Sequence, residues 1–169
     1  MTRGWWRSNA LALGAIAVLA PVTAVVISLN AWQDLPAMHT RAVAVGETAE
    51  YAGADVGPLR ASFDRVEGAP PGARVIAVEL ELDPRRSEFA CLPPELVEAS
   101  GQGRRWIESS LSLDRPYDPE RVTYCDTSQP GPYTLSLDYV VPSDASGPFV
   151  LELFSAAGDG ERLLLAAVP

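Results

Sequence analysis

Two kinds of hydrophobic pattern divide the chain. From Ser8 to Gln33 no residue carries a charge, and Ala10 to Leu29 forms one apolar run. At about 1.5 Å per helical residue, such a run has the length needed to cross about 30 Å of hydrocarbon. Beyond it the pattern changes to a period of two. In Arg74 to Asp83, Ile76, Val78, Leu80 and Leu82 alternate with Val75, Ala77, Glu79 and Glu81. One face of this strand is apolar and the other turns acidic towards its end, which describes a sheet with one wet side. The same alternation sets Tyr133, Leu135, Leu137, Tyr139 and Val141 against Thr134, Ser136 and Asp138. It recurs at Phe149, Leu151 and Leu153, and it sets Leu59, Ala61 and Phe63 against Arg60, Ser62 and Asp64. Arg162 to Val168 is a further apolar run of strand length, and Thr40 to Val45 and Arg104 to Ser109 are two weaker candidates.

Between these runs stand Gly68 to Gly72, Gln129 to Pro132, Pro142 to Pro148 and Gly158 to Gly160, rich in the residues that supply the fixed or positive φ of turns. About seven to nine short strands at this spacing predict an all-β sandwich. Pro93 to Ala99 has room for one helical turn. The predicted organisation is a cytoplasmic tip over residues 1–8, a transmembrane helix (a signal anchor) over 9–32, a stalk over 33–39 and an extracytoplasmic β-sandwich domain over 40–169.

The flanks of the apolar run set its orientation. Arg3 and Arg7 precede it and Asp34 follows, an asymmetry that holds the N-terminus inside and places the rest outside. Trp5 and Trp6 on one side and Trp32 on the other fall at the two headgroup levels, where indoles prefer to sit. The competing expectation is a secretory signal peptide cleaved after Val22-Thr23-Ala24, which would release the domain. Against it, the apolar run continues through Val25, Val26 and Ile27.

Charge narrows the partners. All 13 basic residues are arginine; removing Arg3 and Arg7 leaves 11 against 22 acidic residues, a net of −11 from Asp34 onward. Nucleic-acid binding rests on a basic footprint that releases counterions, and the sequence offers none. The cysteines are two, Cys91 and Cys125. An even count in an extracytoplasmic chain most simply forms one bridge.

Three landmarks in order carry a resemblance: the strand Arg74 to Leu82, the step Gly103 to Trp106, and the strand pair around Val141 to Phe149. Over residues 40–168 they resemble the immunoglobulin-like (telokin-like) extracellular domains of unknown function found in Gram-positive envelope lipoproteins and single-pass membrane proteins. This chain departs from the pattern in lacking a lipid-attachment cysteine. The order Cys91, Trp106, Cys125 also differs from antibody domains, whose cysteines pin opposite sheets across the core. The resemblance implies an envelope module and no catalytic residues.

Candidate chemistry is sparse. His39 stands alone in the stalk, where a Ser-His-Asp triad or a zinc site would need it deep in a pocket. Asp114, Asp118, Glu120 and Asp126 supply the carboxylates of an ion- or small-ligand-binding alternative, Ca²⁺ first, but their spacing matches no calcium loop. Arg115 and Arg121 interleave with them, as in a partly self-neutralising loop. No phosphate loop or dinucleotide fingerprint occurs, so no cofactor is expected. The sequence therefore predicts a non-enzymatic module at the membrane. It would bind another envelope protein or a wall component, with the adjacent acids Glu79 and Glu81 as the partner face.

Overall fold

The computed structural model describes residues 9–10, 14–25, 39–85, 89–129, 131–157 and 160–169. The chain divides into two units, Met1–Met38 and His39–Pro169. In the first, residues 14–25 are helical, and Ile16, Val18, Leu19, Val22 and Val25 are all exposed. Among the described residues no helix is long and apolar enough to cross a membrane. The expected span over 9–32 includes residues 11–13 and 26–32, which lie outside the described residues, as do Arg3, Trp5, Trp6, Arg7 and Trp32.

The second unit is a two-sheet β-sandwich with nine strands among the described residues: β1 His39–Val43, β2 Ala49–Tyr51, β3 Ala54–Asp64, β4 Ala73–Asp83, β5 Glu95–Glu98, β6 Arg105–Trp106, β7 Tyr133–Pro142, β8 Phe149–Phe154 and β9 Glu161–Ala167. One sheet has the order β1-β9-β8-β5-β6 and the other the order β2-β3-β4-β7. All pairings between these strands are antiparallel except that of β1 with β9, which is parallel.

The alternation read from sequence becomes the core. Ile76, Val78, Leu80 and Leu82 of β4 and Leu135, Leu137, Tyr139 and Val141 of β7 line the inner face of one sheet. Leu96, Phe149, Leu151, Leu153, Leu163 and Leu165 line the other. Each such side chain, fully buried, contributes about 1.5–3 kcal/mol relative to exposure. Tyr51 closes one end of the core. Its hydroxyl accepts the Ser155 N–H at 2.7 Å and donates to the Glu161 carbonyl at 2.8 Å, tying β2 to the opposite sheet.

Four sequence expectations change. Pro93 to Ala99 does not form a helical turn; Glu95–Glu98 is strand β5, because β8 lies alongside with Leu96 opposite Leu151 and Val97 opposite Val150. Arg104 to Ser109 shrinks to Arg105–Trp106, after which the chain turns through a single 3-10 turn at Ser110–Ser112. The strand beginning at Leu59 starts instead at Ala54, interrupted by a bulge between Val56 and Leu59. His39, assigned to the stalk, opens β1, its N–H bonded to the Gly160 carbonyl at 3.0 Å.

Candidate functional site

Both sheets carry carboxylates that the structure buries: Asp138 and Glu152 on the outer faces, and Glu98 at the end of β5 on the side of Leu96, opposite Phe149. Glu98, Asp138 and Glu152 are each under 5% exposed. Each is matched by arginine, the residue whose planar fork suits paired, partly buried carboxylates. On β8, Glu152 is clasped by Arg105 from β6 and by Arg162 from β9, the latter at 2.5 Å. Glu95 stands directly opposite Glu152 on β5, a like-charge pair that is destabilising when bare. Arg105 bonds both, reaching Glu95 at 2.7 Å, and converts the repulsion into a bridge. At the other end of β5, Arg104 holds Glu98 through two bonds of 3.0 Å and reaches Asp144 at 3.1 Å.

Asp138 on β7 organises the segment between β6 and β7. Arg115 binds it through a fork of 2.5 and 2.7 Å, Arg121 adds a bond of 2.8 Å, and Arg115 extends to Asp64 on β3 at 2.8 Å. These contacts press the segment against the free edge of β7. There Ser109 N–H bonds the Asp138 carbonyl at 2.8 Å and Ser136 N–H bonds the Val122 carbonyl at 2.7 Å. Arg115 and Arg121 therefore do not neutralise their own loop, as the sequence suggested. They leave its acids and neutralise a buried carboxylate on the sheet, because Asp138 has no solvent and the loop acids do.

Cys91 and Cys125 form the expected disulfide, with Cα atoms 5.6 Å apart. Cys91 pairs with Ser155 beyond the end of β8, and Cys125 belongs to the segment that covers β7. The bridge thus fastens one sheet to the covering segment of the other.

The acids released by this arrangement form a groove on the outer face of the second sheet. Glu79 of β4 lines a cleft of about 510 Å³ together with Asp118, Glu120 and Arg121, bordered by Thr134 and Ser136. Glu81, two residues along, lies with Asp55 and Asp83 in an adjoining cleft of about 330 Å³ that shares Tyr133 and Thr134. Glu79 is exposed, whereas Glu81 is bonded to Arg60 at 3.0 Å. The predicted pair is thereby unequal: one acid is open and the other already has an arginine. Asp126, the fourth acid of the calcium alternative, turns back onto its own loop, accepting from Ser128 and Gln129. Among the described residues no group of three or more acid, histidine or cysteine side chains is placed to hold a metal ion. His39 lies at the exposed start of β1.

Three carboxylates titrate below their ordinary range, Asp126 chiefly through the hydrogen bond from the Ser128 side chain. The hydrogen bond from Arg115 is the largest cause at Asp64, and that from Arg104 the largest at Glu98; each outweighs the upward push of desolvation. A carboxylate with a lowered folded-state pKa contributes its full stabilisation above its unfolded pKa, near 4, and loses it as pH falls through the folded value. The melting temperature is therefore expected to drop on acidification below about pH 4. Thermal melts across that range should show a flatter profile in Arg104→Gln than in the parent chain. An identical profile would contradict the assignment.

No family model and no curated protein matches the chain. A solved structure does. The chain is similar to an uncharacterised β-sandwich protein. That protein comes from Clostridium difficile 630; the two are 13% identical with a TM-score of 0.45, over 76% of this chain and 94% of the other.

Proposed function

We propose that the chain is a single-pass membrane protein whose immunoglobulin-like β-sandwich stands outside the cytoplasm. Its role is to bind a basic segment of another envelope protein or wall component through the outer face of the second sheet. The observation that carries this reading is the groove lined by Glu79, Asp118 and Glu120, in which Arg121, which also lines it, is already engaged by Asp138. Such charge steers encounter and selects partners, and it acts over about 8 Å at physiological salt.

The compartment is supported by the disulfide, since such bonds persist in oxidising surroundings and are rare in the cytosol. Anchoring is supported by the charge-free stretch from Ser8 to Gln33 and by the bare apolar side chains on residues 14–25, a pattern that calls for a covering medium. The immunoglobulin-like reading is supported by strand order. With β3, β4 and β7 taken as A, B and E, and β5, β8 and β9 as C, F and G, both sheets follow that plan. The covering segment then occupies the place of strand D beside E.

In vivo crosslinking tests the groove. Glu79→Lys combined with Glu120→Lys is expected to abolish recovery of the principal crosslinked partner, and raised salt is expected to weaken recovery with the parent chain. Undiminished recovery with the folded variant would overturn the proposal. External protease should digest the domain on intact cells, whereas a C-terminus protected from it, or a soluble product beginning near Val25, would contradict the anchor.

A further inference from the structure

The sandwich has four sheet edges, and three are guarded. β6 is two residues long. β7 is capped by the segment that Arg115 and Arg121 hold down. β1 carries Arg41, whose guanidinium bonds the Glu50 carbonyl at 2.9 Å. The fourth edge is different. β2 pairs with β3 only at Ala54–Val56, and the chain ahead of β2 then passes so close to Gly57 that a Cβ there would lie 2.4 Å from the Glu47 carbonyl oxygen. From Arg60 to Asp64, β3 pairs with β4 on one side and, among the described residues, with nothing on the other. Alternate residues there present unpaired N–H and C=O groups, a template for a further strand.

The side chains along this stretch specify what strand fits. Arg60, Ser62 and Asp64 lie on the outer face; Ala61 and Phe63 point inward, where Phe63 remains 47% exposed and Arg74 sits 4.3 Å over its ring. Val45 and Val168, both exposed, border a neighbouring cleft of about 460 Å³ that reaches Ala61. Laid antiparallel on a second copy of itself about a two-fold axis at Ser62, the strand sets Arg60 opposite Asp64, Ala61 opposite Phe63, and Ser62 opposite itself. A two-fold axis normal to the sheet keeps inner residues with inner and outer with outer, so this register obeys the pleat. It also extends the existing ion pairs. Arg60 is bonded to Glu81 at 3.0 Å and Asp64 to Arg115 at 2.8 Å. Pairing therefore creates the alternating row Glu81, Arg60, partner Asp64, partner Arg115, and the same row in reverse.

We infer that the free edge of β3 is a self-association surface, at which two copies of this chain pair antiparallel through Arg60–Asp64. This surface is separate from the acidic groove and does not depend on the function assigned to it.

The test uses the full-length chain in mild detergent. Opposed Cα atoms in antiparallel strands lie about 4.5–5.5 Å apart, inside the range a disulfide spans. Under mild oxidation Ser62→Cys should form a covalent dimer, and Ser146→Cys, exposed at the β7–β8 turn, should not. In sedimentation experiments Ser62→Lys and Ser62→Glu should each raise the dimer dissociation constant about five-fold by placing like charges in register. An equimolar mixture of the two should reverse the loss. The inference is overturned if Ser62→Cys yields no more dimer than Ser146→Cys, if the charged variants associate like the parent, or if their mixture gains nothing. It is equally overturned if, in cells, Ser62→Cys links chiefly to a different protein, which would make the edge a site for a foreign strand.

Discussion

Replacing both Cys91 and Cys125 by Ser lowers the stability of the sandwich by about 3.8 kcal/mol, the chain-entropy value for a bridge closing 34 positions. For a domain whose whole net stability is about 5–15 kcal/mol, this is a large share. The location of the bridge adds a local effect. It fastens the β5–β8 side of one sheet to the segment that caps β7 of the other, so its loss loosens that cap before it loosens the core. Amide exchange should therefore accelerate most at Ser109 and Ser136, whose N–H groups bond across that boundary at 2.8 and 2.7 Å. Urea unfolding measures the first effect and native-state exchange the second. Alkylation without reductant should label neither cysteine of the parent chain. Labelling of both, or a variant as stable as the parent, would refute the role given to the bridge.

Removing the carboxylate of Asp138 is the second large perturbation. Asp138→Ala leaves Arg121 facing the sheet with its carboxylate gone and Arg115 with Asp64 alone, and breaking a buried pair in this way costs about 3–5 kcal/mol. Arg115 and Arg121 keep 21% and 24% of their side-chain surface exposed, so water screens part of the stranded charge. The expected loss is accordingly near the lower bound, about 3 kcal/mol, or roughly 10 °C in melting temperature for a domain of this size. Adding Arg115→Leu and Arg121→Leu to the same variant should recover most of the loss, since an apolar set of similar volume removes the unpaired charge. If Asp138→Ala melts with the parent, the carboxylate is not what holds the segment down.

These two features differ in how far the sequence announces them. The cysteine pair was legible because two cysteines allow one intrachain pairing. The strands β4, β7 and β8 were legible because each faces the core on one side only, which writes a period of two into the residues themselves, and β9 was legible as an apolar run of strand length. β5 was not. Its four residues follow Pro93 and Pro94, and only the presence of β8 beside it makes the segment a strand. Asp138 and Glu152 sit at positions that alternate with core residues, and their burial depends on arginines brought from other strands and from the covering segment. The acidic groove was half legible. Glu79 and Glu81 stood out on one strand, but Asp118 and Glu120 line the groove with Glu79 only because Arg115 and Arg121 bind Asp138, a contact between segments that no local pattern encodes.

The parallel pairing of β1 with β9 runs residue for residue from His39 opposite Glu161 to Val43 opposite Leu165. A load applied along the axis of β1 would find the hydrogen bonds joining it to β9 across the direction of pull. They share the load and must fail together, as a lap joint does in shear, where a hairpin pulled from its open end would peel one bond at a time. The pairing of β1 with β9 thus has the geometry of a mechanical clasp against a load along the strand.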